Sequence, residues 1–213
     1  YVIALNKITK DVAATVLAKV EGRNPAFSVK DRVAASLVAE AEASGRLKPG
    51  MRLLEASSGN TGIGLAYVAA AKGYKLTLVM QEGMSEERLK LLKMLGAEVV
   101  LTDPEQGMQG ALDEAERLEK SAPGAYYYTR QFENPANPLA HERSTGPEIW
   151  DDTAGRVDVI VAGVGTGGTL TGLGRYFKRT RGAAVEMVAV EPASLPALSR
   201  HREGRPLEPA GSL

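Results

Sequence analysis

Short apolar runs alternate along this chain with longer stretches of helical periodicity, and this alternation constrains the fold more than any other feature. Runs such as KLTLVM (75–80) and VDVIVA (157–162) are typical of strands, and each is followed by a helical stretch. The alternation predicts parallel βαβ units, and strands that are almost wholly apolar favour a sheet covered by helices on both faces. The predicted strands are 14–20, 52–57, 75–80, 98–102, 125–129, 157–162 and 185–190.

No repeat, low-complexity tract or clear linker divides the 213 residues, which suffice for one or two domains. For two domains, we expect the hinge near Asn134-Pro135-Ala136-Asn137-Pro138. A helix is predicted to follow this segment and to end near Pro147. Parallel sheets bind ligands beyond the carboxyl ends of their strands. Two glycine-rich segments lie at such positions, ASSGNTG (56–62) and AGVGTGG (162–168).

The composition disfavours several classes of function. Lys and Arg number 26, as do Asp and Glu, so the zero net charge disfavours nucleic acid or an acidic membrane as a partner. The absence of cysteine removes disulfides, thiolate metal sites and a cysteine nucleophile. Only His141 and His201 offer imidazoles, which is little material for a metal site or a Ser-His-Asp triad. We expect a structural role for His141, solvent exposure for His201, and no membrane-spanning helix.

Lys30, in NPAFSVKDR, is the first candidate for chemistry. Ser28 and Asp31 have capping-box spacing, so a helix is expected to begin at Val29 or Lys30. Lys30 then projects into the apolar stripe of this helix, whereas Arg32 points away. The stripe comprises Val33, Ala34, Leu37, Val38 and Ala41. Burial and the positive end of the helix dipole both disfavour the ammonium form, as a Schiff-base amine requires. The alternative is a lysine whose amine reaches solvent.

The segment Ser57–Gly62 lies between a predicted strand and a predicted helix. Its backbone N–H groups and hydroxyls could bind a carboxylate or a phosphate. The alternative is an ordinary helix N-cap with glycines for a tight turn. A nucleophilic serine is not expected, because the G-x-S-x-G elbow is absent.

The segment Gly163–Gly168 reads G-x-G-x-x-G between a predicted strand and a predicted helix, and an acidic residue ends the next strand. This context fits a dinucleotide-binding domain. The residues of that alternative are Gly163, Gly165, Gly168 and Glu191. However, a dinucleotide gives no role to Lys30 or to the loop around Asn60. A cofactor with one phosphate and one aldehyde gives a role to all three features, and pyridoxal phosphate has both groups.

These motifs resemble the β-family (fold type II) of pyridoxal-phosphate enzymes over nearly the whole chain. The motif N-P-x-x-S-V-K-D-R implies a Schiff-base lysine, S-G-N-T implies a substrate-carboxylate loop, and G-T-G-G-T implies a phosphate site at a helix N-terminus. QFENPANPLAHERSTGPEIW and GVGTGGTLTG are similar to the cysteine synthase (O-acetylserine sulfhydrylase) branch. The implied cofactor ligands are Lys30, Asn60, Gly165, Thr166, Gly167, Gly168 and Thr169. The implied substrate ligands are Ser57, Ser58, Gly59, Thr61 and Gln131.

The resemblance implies an α/β fold of the tryptophan synthase β type, with two open parallel-sheet domains. Residues 34–136 would form the N-terminal domain, and residues 1–33 with 137–213 the larger cofactor domain. The family's C-terminal part, which carries a serine facing the pyridine nitrogen, is missing, so this fold is expected to be truncated. No residue here takes that role. We therefore expect weak or no activity if the polypeptide stops at Leu213.

The implied reaction is β-replacement, in which O-acetyl-L-serine and sulfide give L-cysteine through an aminoacrylate intermediate, with the freed Lys30 amine as general base. Cystathionine β-synthase shares the motifs and stays an alternative. A catalytically silent relative that binds a partner protein is another. The resemblance further implies a homodimer and serine acetyltransferase as a partner. The absence of an anchor suggests the cytoplasm, or an organelle if a transit segment has been removed.

Overall fold

The computed structural model describes residues 1–194 and 196–206 and begins with a short antiparallel pair of strands. Strand β1 (Val2–Ala4) pairs with β2 (Leu17–Lys19), with Ile3 opposite Ala18. The sequence predicts a strand within 14–20 but not at 2–4, because three residues are too few to show a period. The pair precedes the parallel part of the fold.

Six further strands and eight helices follow in the described residues. The strands are β3 (Arg52–Ala56), β4 (Leu76–Gln81), β5 (Ala97–Thr102), β6 (Tyr126–Tyr128), β7 (Val159–Gly163) and β8 (Glu186–Val190). The helices are α1 (Lys30–Ala43), α2 (Asn60–Lys72), α3 (Glu86–Met94), α4 (Gly107–Ser121), α5 (Ala136–Ala140), α6 (Gly146–Asp152), α7 (Gly168–Gly174) and α8 (Ala197–Arg202). Strand–helix alternation therefore appears as predicted.

The central sheet is parallel throughout, with strand order β5-β4-β3-β6. Adjacent residues of β3 point to opposite faces, as the strand period of two requires. Leu53 packs in the core shared with α1 and α2, whereas Leu54 packs in the core shared with α4. Both leucines are fully buried, and each such side chain contributes about 2 kcal/mol relative to exposure. Helices cover both faces of this sheet.

The last two strands form a second parallel sheet, with Ile160 opposite Met187. Ile160 is buried with Leu173 and Phe177, whereas its neighbours Val159 and Val161 are 49% and 62% exposed. The parallel α/β class predicted from the sequence is confirmed. The boundaries of the two domains stay a prediction. The last residues of the predicted cofactor domain, 207–213, lie outside the described part of the chain.

One predicted helix end is wrong. The helix expected to end near Pro147 continues to Asp152, through α5, a π-helical turn at His141–Thr145 and α6. Pro147 lies in the first turn of α6, where a missing N–H is tolerated. The proline therefore marks a junction between two helical segments.

Candidate functional site

Helix α1 begins at Lys30, where the sequence predicts a helix start. Ser28 Oγ accepts a hydrogen bond from the Lys30 N–H at 3.2 Å, and Asp31 Oδ2 accepts one from the Ala26 N–H at 2.6 Å. The first bond satisfies an N–H group that a helix start would otherwise leave unpaired, and the second ties the preceding loop to the first turn of α1. The predicted apolar stripe is also correct, because its five members are all fully buried.

The Lys30 amine is partly buried, and among the described residues it forms no hydrogen bond or ion pair. Burial lowers the pKa of this amine below its ordinary value. At Gly64 a Cβ would lie 3.1 Å from the Lys30 carbonyl oxygen, so only glycine allows α1 and α2 to approach this closely. Asn60 lies one turn before Gly64 and on the same face of α2. The α1–α2 contact therefore brings Lys30 and Asn60 toward one region.

The segment 57–62 connects β3 to α2 and contacts two distant parts of the chain. Ser57 Oγ accepts hydrogen bonds from the N–H groups of Gly59 and Gly62, each at 3.3 Å. Thr61 Oγ1 donates to Gln131 Oε1 at 2.6 Å, so two predicted substrate ligands are in direct contact. The guanidinium of Arg88 in α3 donates to the Ser58 carbonyl oxygen at 2.7 Å. No local motif in the sequence signals that last contact.

Glu55, two residues before this segment, is a buried carboxylate that motif analysis does not find. It contacts Thr129 Oγ1 and accepts hydrogen bonds from the N–H groups of Gln131, at 3.2 Å, and Ala56, at 3.1 Å. Burial raises the pKa of Glu55 to about 7, although these hydrogen bonds oppose the shift. Glu55 thus joins the end of β3 to the segment that carries Gln131.

The glycine-rich segment 163–168 connects β7 to α7, as predicted. Gly167 has φ +75°, in the left-handed region that favours glycine, and immediately precedes α7. A Cβ added at Gly163, Gly165 or Gly167 would meet no atom of the described residues within 4 Å. These backbone positions therefore border open space at a helix N-terminus, where N–H groups can bind an anion.

His141 contacts Thr169, the residue that directly follows this segment. Its Nε2 lies 3.3 Å from Thr169 Oγ1 and its Nδ1 lies 2.9 Å from Thr145 Oγ1. Burial, together with the nearby charge of Lys30, lowers the pKa of His141 to about 4. The residue therefore stays neutral near pH 7, in agreement with the structural role expected for it. His201 is exposed, also as expected.

The dinucleotide alternative is weakened at its acidic residue. The carboxylate of Glu191 accepts hydrogen bonds from the N–H groups of Leu198, at 2.7 Å, and Ser199, at 2.9 Å, and from Ser199 Oγ at 2.6 Å. Glu191 thus binds the first turn of α8, which leaves less of its carboxylate for a ribose. No helix in the described residues has the length and apolar character needed to cross a membrane.

Comparison with known proteins shows the family. Residues 2–212 match the family described as "Pyridoxal-phosphate dependent enzyme", and this chain belongs to that family. Cysteine synthase A of Escherichia coli (strain K12) is 55% identical over 208 residues, which cover 97% of this chain and 64% of that protein. The chain thus spans slightly less than two thirds of this relative's length. The resemblance inferred from the sequence is confirmed, as is pyridoxal phosphate as the cofactor of the family.

Solved structures support the same relationship. The O-acetyl serine sulfhydrylase isoform 3 of Entamoeba histolytica superposes with a TM-score of 0.90 at 44% identity, over 98% of this chain and 62% of that one. An O-ureido-L-serine synthase superposes with a TM-score of 0.85 at 43% identity, over 94% of this chain and 62% of that one. The fold type inferred from the resemblance is therefore confirmed.

The residues of the site fit pyridoxal phosphate. The Lys30 amine is desolvated and has no partner in the part of the chain that the structure describes, so it matches an aldehyde. The open glycine segment with its threonine hydroxyls matches a phosphate. The described residues contain no group of three side chains suited to hold a metal ion.

Proposed function

We propose that this protein binds pyridoxal phosphate covalently through Lys30 and forms L-cysteine from O-acetyl-L-serine and sulfide by β-replacement. The observation that carries the proposal is a series of contacts from α1 to the end of the glycine-rich segment. Arg32, two residues after Lys30, donates to Ser144 Oγ at 3.1 Å, and His141 of the same π-helical turn lies 3.3 Å from Thr169 Oγ1. The amine and the anion-binding segment therefore face a common region. Similarity to cysteine synthase A over 97% of the chain supports the choice of reaction.

Lys30 would perform two tasks in this reaction. Its amine would carry the covalent attachment and, once displaced by the substrate amine, would accept the proton of the substrate α-carbon. The lowered pKa favours the neutral amine that both tasks require. The bound cofactor would supply an electron-withdrawing ring that stabilises negative charge at that carbon.

The segment 57–62 would bind the substrate carboxylate. The Ser58 hydroxyl and the N–H groups of Asn60 and Thr61 are the donors proposed for the two carboxylate oxygens, because the Thr61 hydroxyl already donates to Gln131. Two contacts would hold the segment in place: the bond from Arg88 to the Ser58 carbonyl and the bond from Thr61 to Gln131. We propose that Gly59 lets the substrate approach the backbone closely and that Ser57 supports the segment from within. Asn60 is proposed to bind the ring oxygen of the cofactor. Gly165 to Thr169 would hold the phosphate.

Substrate tests separate this reaction from its alternatives. The protein should form cysteine from O-acetyl-L-serine and sulfide, and Lys30→Ala should abolish this activity. Turnover of serine with homocysteine, without cysteine formation from the first pair, would instead favour the cystathionine β-synthase reaction. Cofactor binding without turnover of either pair would favour the catalytically silent relative. Thermal stabilisation by NAD but not by pyridoxal phosphate would favour the dinucleotide domain.

The remaining features implied by the family resemblance stay predictions. They are the homodimer, serine acetyltransferase as a protein partner, and a cytoplasmic location. Size-exclusion chromatography with light scattering would test the dimer, and co-purification with serine acetyltransferase would test the partner.

A further inference from the structure

Asn137, in the first turn of α5, connects the two proposed ligand-binding segments. Its side chain is 2% exposed, and its Nδ2 donates to the Gln131 carbonyl oxygen and to Thr166 Oγ1, each at 2.9 Å. Its Oδ1 is buried and has no hydrogen-bond partner among the described residues, and a Cβ at Gly168 would overlap it. One amide group thus contacts both the substrate side and the phosphate side of the site.

These contacts fix the orientation of the amide. The Gln131 carbonyl oxygen can only accept, so the group of Asn137 that faces it must be the NH₂. The same NH₂ faces Thr166 Oγ1 and can only donate, so the Thr166 hydroxyl must accept. The orientation therefore follows from the chemistry of the neighbouring atoms.

With both lone pairs of its oxygen in use, the Thr166 hydroxyl can form a further hydrogen bond only as a donor. A hydroxyl has two acceptor lone pairs and one donor hydrogen. Asn137 Nδ2 takes one lone pair, and the N–H of Gly168 points to the other at 3.4 Å. In the described part of the chain, no protein atom accepts the Thr166 hydrogen. That hydrogen is therefore available to an anion in the glycine-rich segment.

We propose that Asn137 is a positioning residue, which directs the hydrogen of the Thr166 hydroxyl toward the phosphate ester of the cofactor. This inference rests on the proposed function, because it assumes that a phosphate occupies the glycine-rich segment. Asn137 also fixes the Gln131 backbone, so the phosphate segment and the proposed carboxylate ligand share one support. Gly168 must lack a side chain because Asn137 occupies that space.

The test compares the affinities for pyridoxal phosphate and for pyridoxal, which lacks the phosphate. Protein freed of cofactor is titrated with each compound, and binding is followed by visible absorption. Asn137→Asp should weaken binding of pyridoxal phosphate about tenfold or more and change binding of pyridoxal little. The new carboxylate accepts the Thr166 hydrogen and repels the phosphate. Asn137→Ala should have a smaller effect of the same kind and serves if the Asp variant does not fold.

Asn134 offers a matched control, since it is also a buried asparagine before a proline. Its Nδ2 donates to the Thr129 carbonyl oxygen at 2.9 Å, and its Oδ1 accepts from the Ala136 N–H at 3.0 Å. Asn134→Ala should lower thermal stability without changing the ratio of the two affinities. Thr166→Val alone should lower the affinity for pyridoxal phosphate relative to the affinity for pyridoxal. Adding Asn137→Ala to Thr166→Val should lower this relative affinity no further.

Three outcomes would overturn the inference. The first is an unchanged affinity ratio in both Asn137 variants, and the second is an equal effect of Asn137→Ala with and without the Thr166 hydroxyl. The third is a change of the ratio in Asn134→Ala as large as that in Asn137→Ala. A wild-type protein that binds no pyridoxal phosphate would overturn the proposed function itself, so the two failures are distinguishable.

Discussion

At the scale of single residues, Glu55 shows how burial changes the chemistry of a side chain. Its carboxylate is fully buried at the end of β3, and its pKa is raised to about 7 from an ordinary value of 4.5. Between these two values the folded state binds more protons than the unfolded state. Stability therefore falls as the pH rises through this interval.

Glu55→Gln should remove this pH dependence. Relative to the variant, the wild type should lose on the order of 3 kcal/mol of unfolding free energy between pH 4.5 and pH 7.5. Urea unfolding at several pH values measures the difference. Thr129→Val should extend the loss to higher pH, because it removes a donor that holds the pKa of Glu55 down. Parallel pH profiles for the wild type and Glu55→Gln would contradict the assignment.

The sequence predicts the position and contacts of some site residues better than those of others. The helix start at Lys30 was predictable because the neighbouring polar residues and the apolar stripe lie within twelve positions of it, whereas its catalytic role stays a prediction. The roles of Glu55, Arg88 and Asn137 depend on partners 74, 30 and 29 positions away, respectively. Such contacts exist only once the strands and helices have packed, so no local motif announces them. For Glu55 and Asn137 the sequence shows only a polar residue near a glycine-rich or Asn-Pro segment, and for Arg88 it shows no local signal.

At the scale of secondary-structure elements, the contact between α7 and α5 depends on Gly172. A Cβ there would overlap the Pro138 carbonyl oxygen and lie 2.7 Å from His141 Cβ. The neighbouring Gly174 has helical φ and ψ, and a Cβ there would meet no atom within 4 Å. The two glycines therefore form a natural pair of test and control.

Gly172→Ala should lower the free energy of unfolding by about 2 kcal/mol or more, because α7 must move away from α5. Gly174→Ala should be neutral or should stabilise the protein by up to about 1 kcal/mol, because alanine favours a helix. Urea unfolding measures the free energy of unfolding of each variant against that of the wild type. Equal effects would show that the α5–α7 contact does not depend on glycine.

The elements themselves were mostly predictable, and the exceptions have physical reasons. Strands of the central sheet follow apolar runs because both faces of that sheet are covered. The strand at 2–4 was missed because it is short and is stabilised by pairing with β2. The helix end near Pro147 was misplaced because proline is tolerated in the first turn of a new helical segment.

At the scale of the whole molecule, Arg32 joins segments that lie far apart in the chain. Its guanidinium binds both oxygens of Glu148, at 2.6 and 2.7 Å, and both oxygens of Glu21, at 2.7 and 3.0 Å. Hydrogen bonds from Arg32 and Lys19 overcome partial burial and lower the pKa of Glu148 to about 2. The stabilisation from Glu148 is therefore complete above pH 4.5 and is lost as the pH falls toward 2.

Arg32→Lys should lower the unfolding free energy by on the order of 2 kcal/mol, because one ammonium cannot bind two carboxylates in this paired geometry. Lys90→Gln removes an exposed ion pair with Glu86 and should leave stability almost unchanged. Thermal and urea unfolding measure both variants. A loss in Arg32→Lys no greater than in Lys90→Gln would contradict the role assigned to Arg32.

The central claim is that one pyridoxal phosphate connects Lys30 to the glycine-rich segment. Its most direct test is borohydride reduction of the cofactor-loaded protein, followed by proteolysis and mass spectrometry of the peptides. We predict a stable phosphopyridoxyl group on Lys30, and none at this position in Lys30→Arg. Attachment to another lysine, or an unmodified Lys30 in fully loaded protein, would contradict the claim.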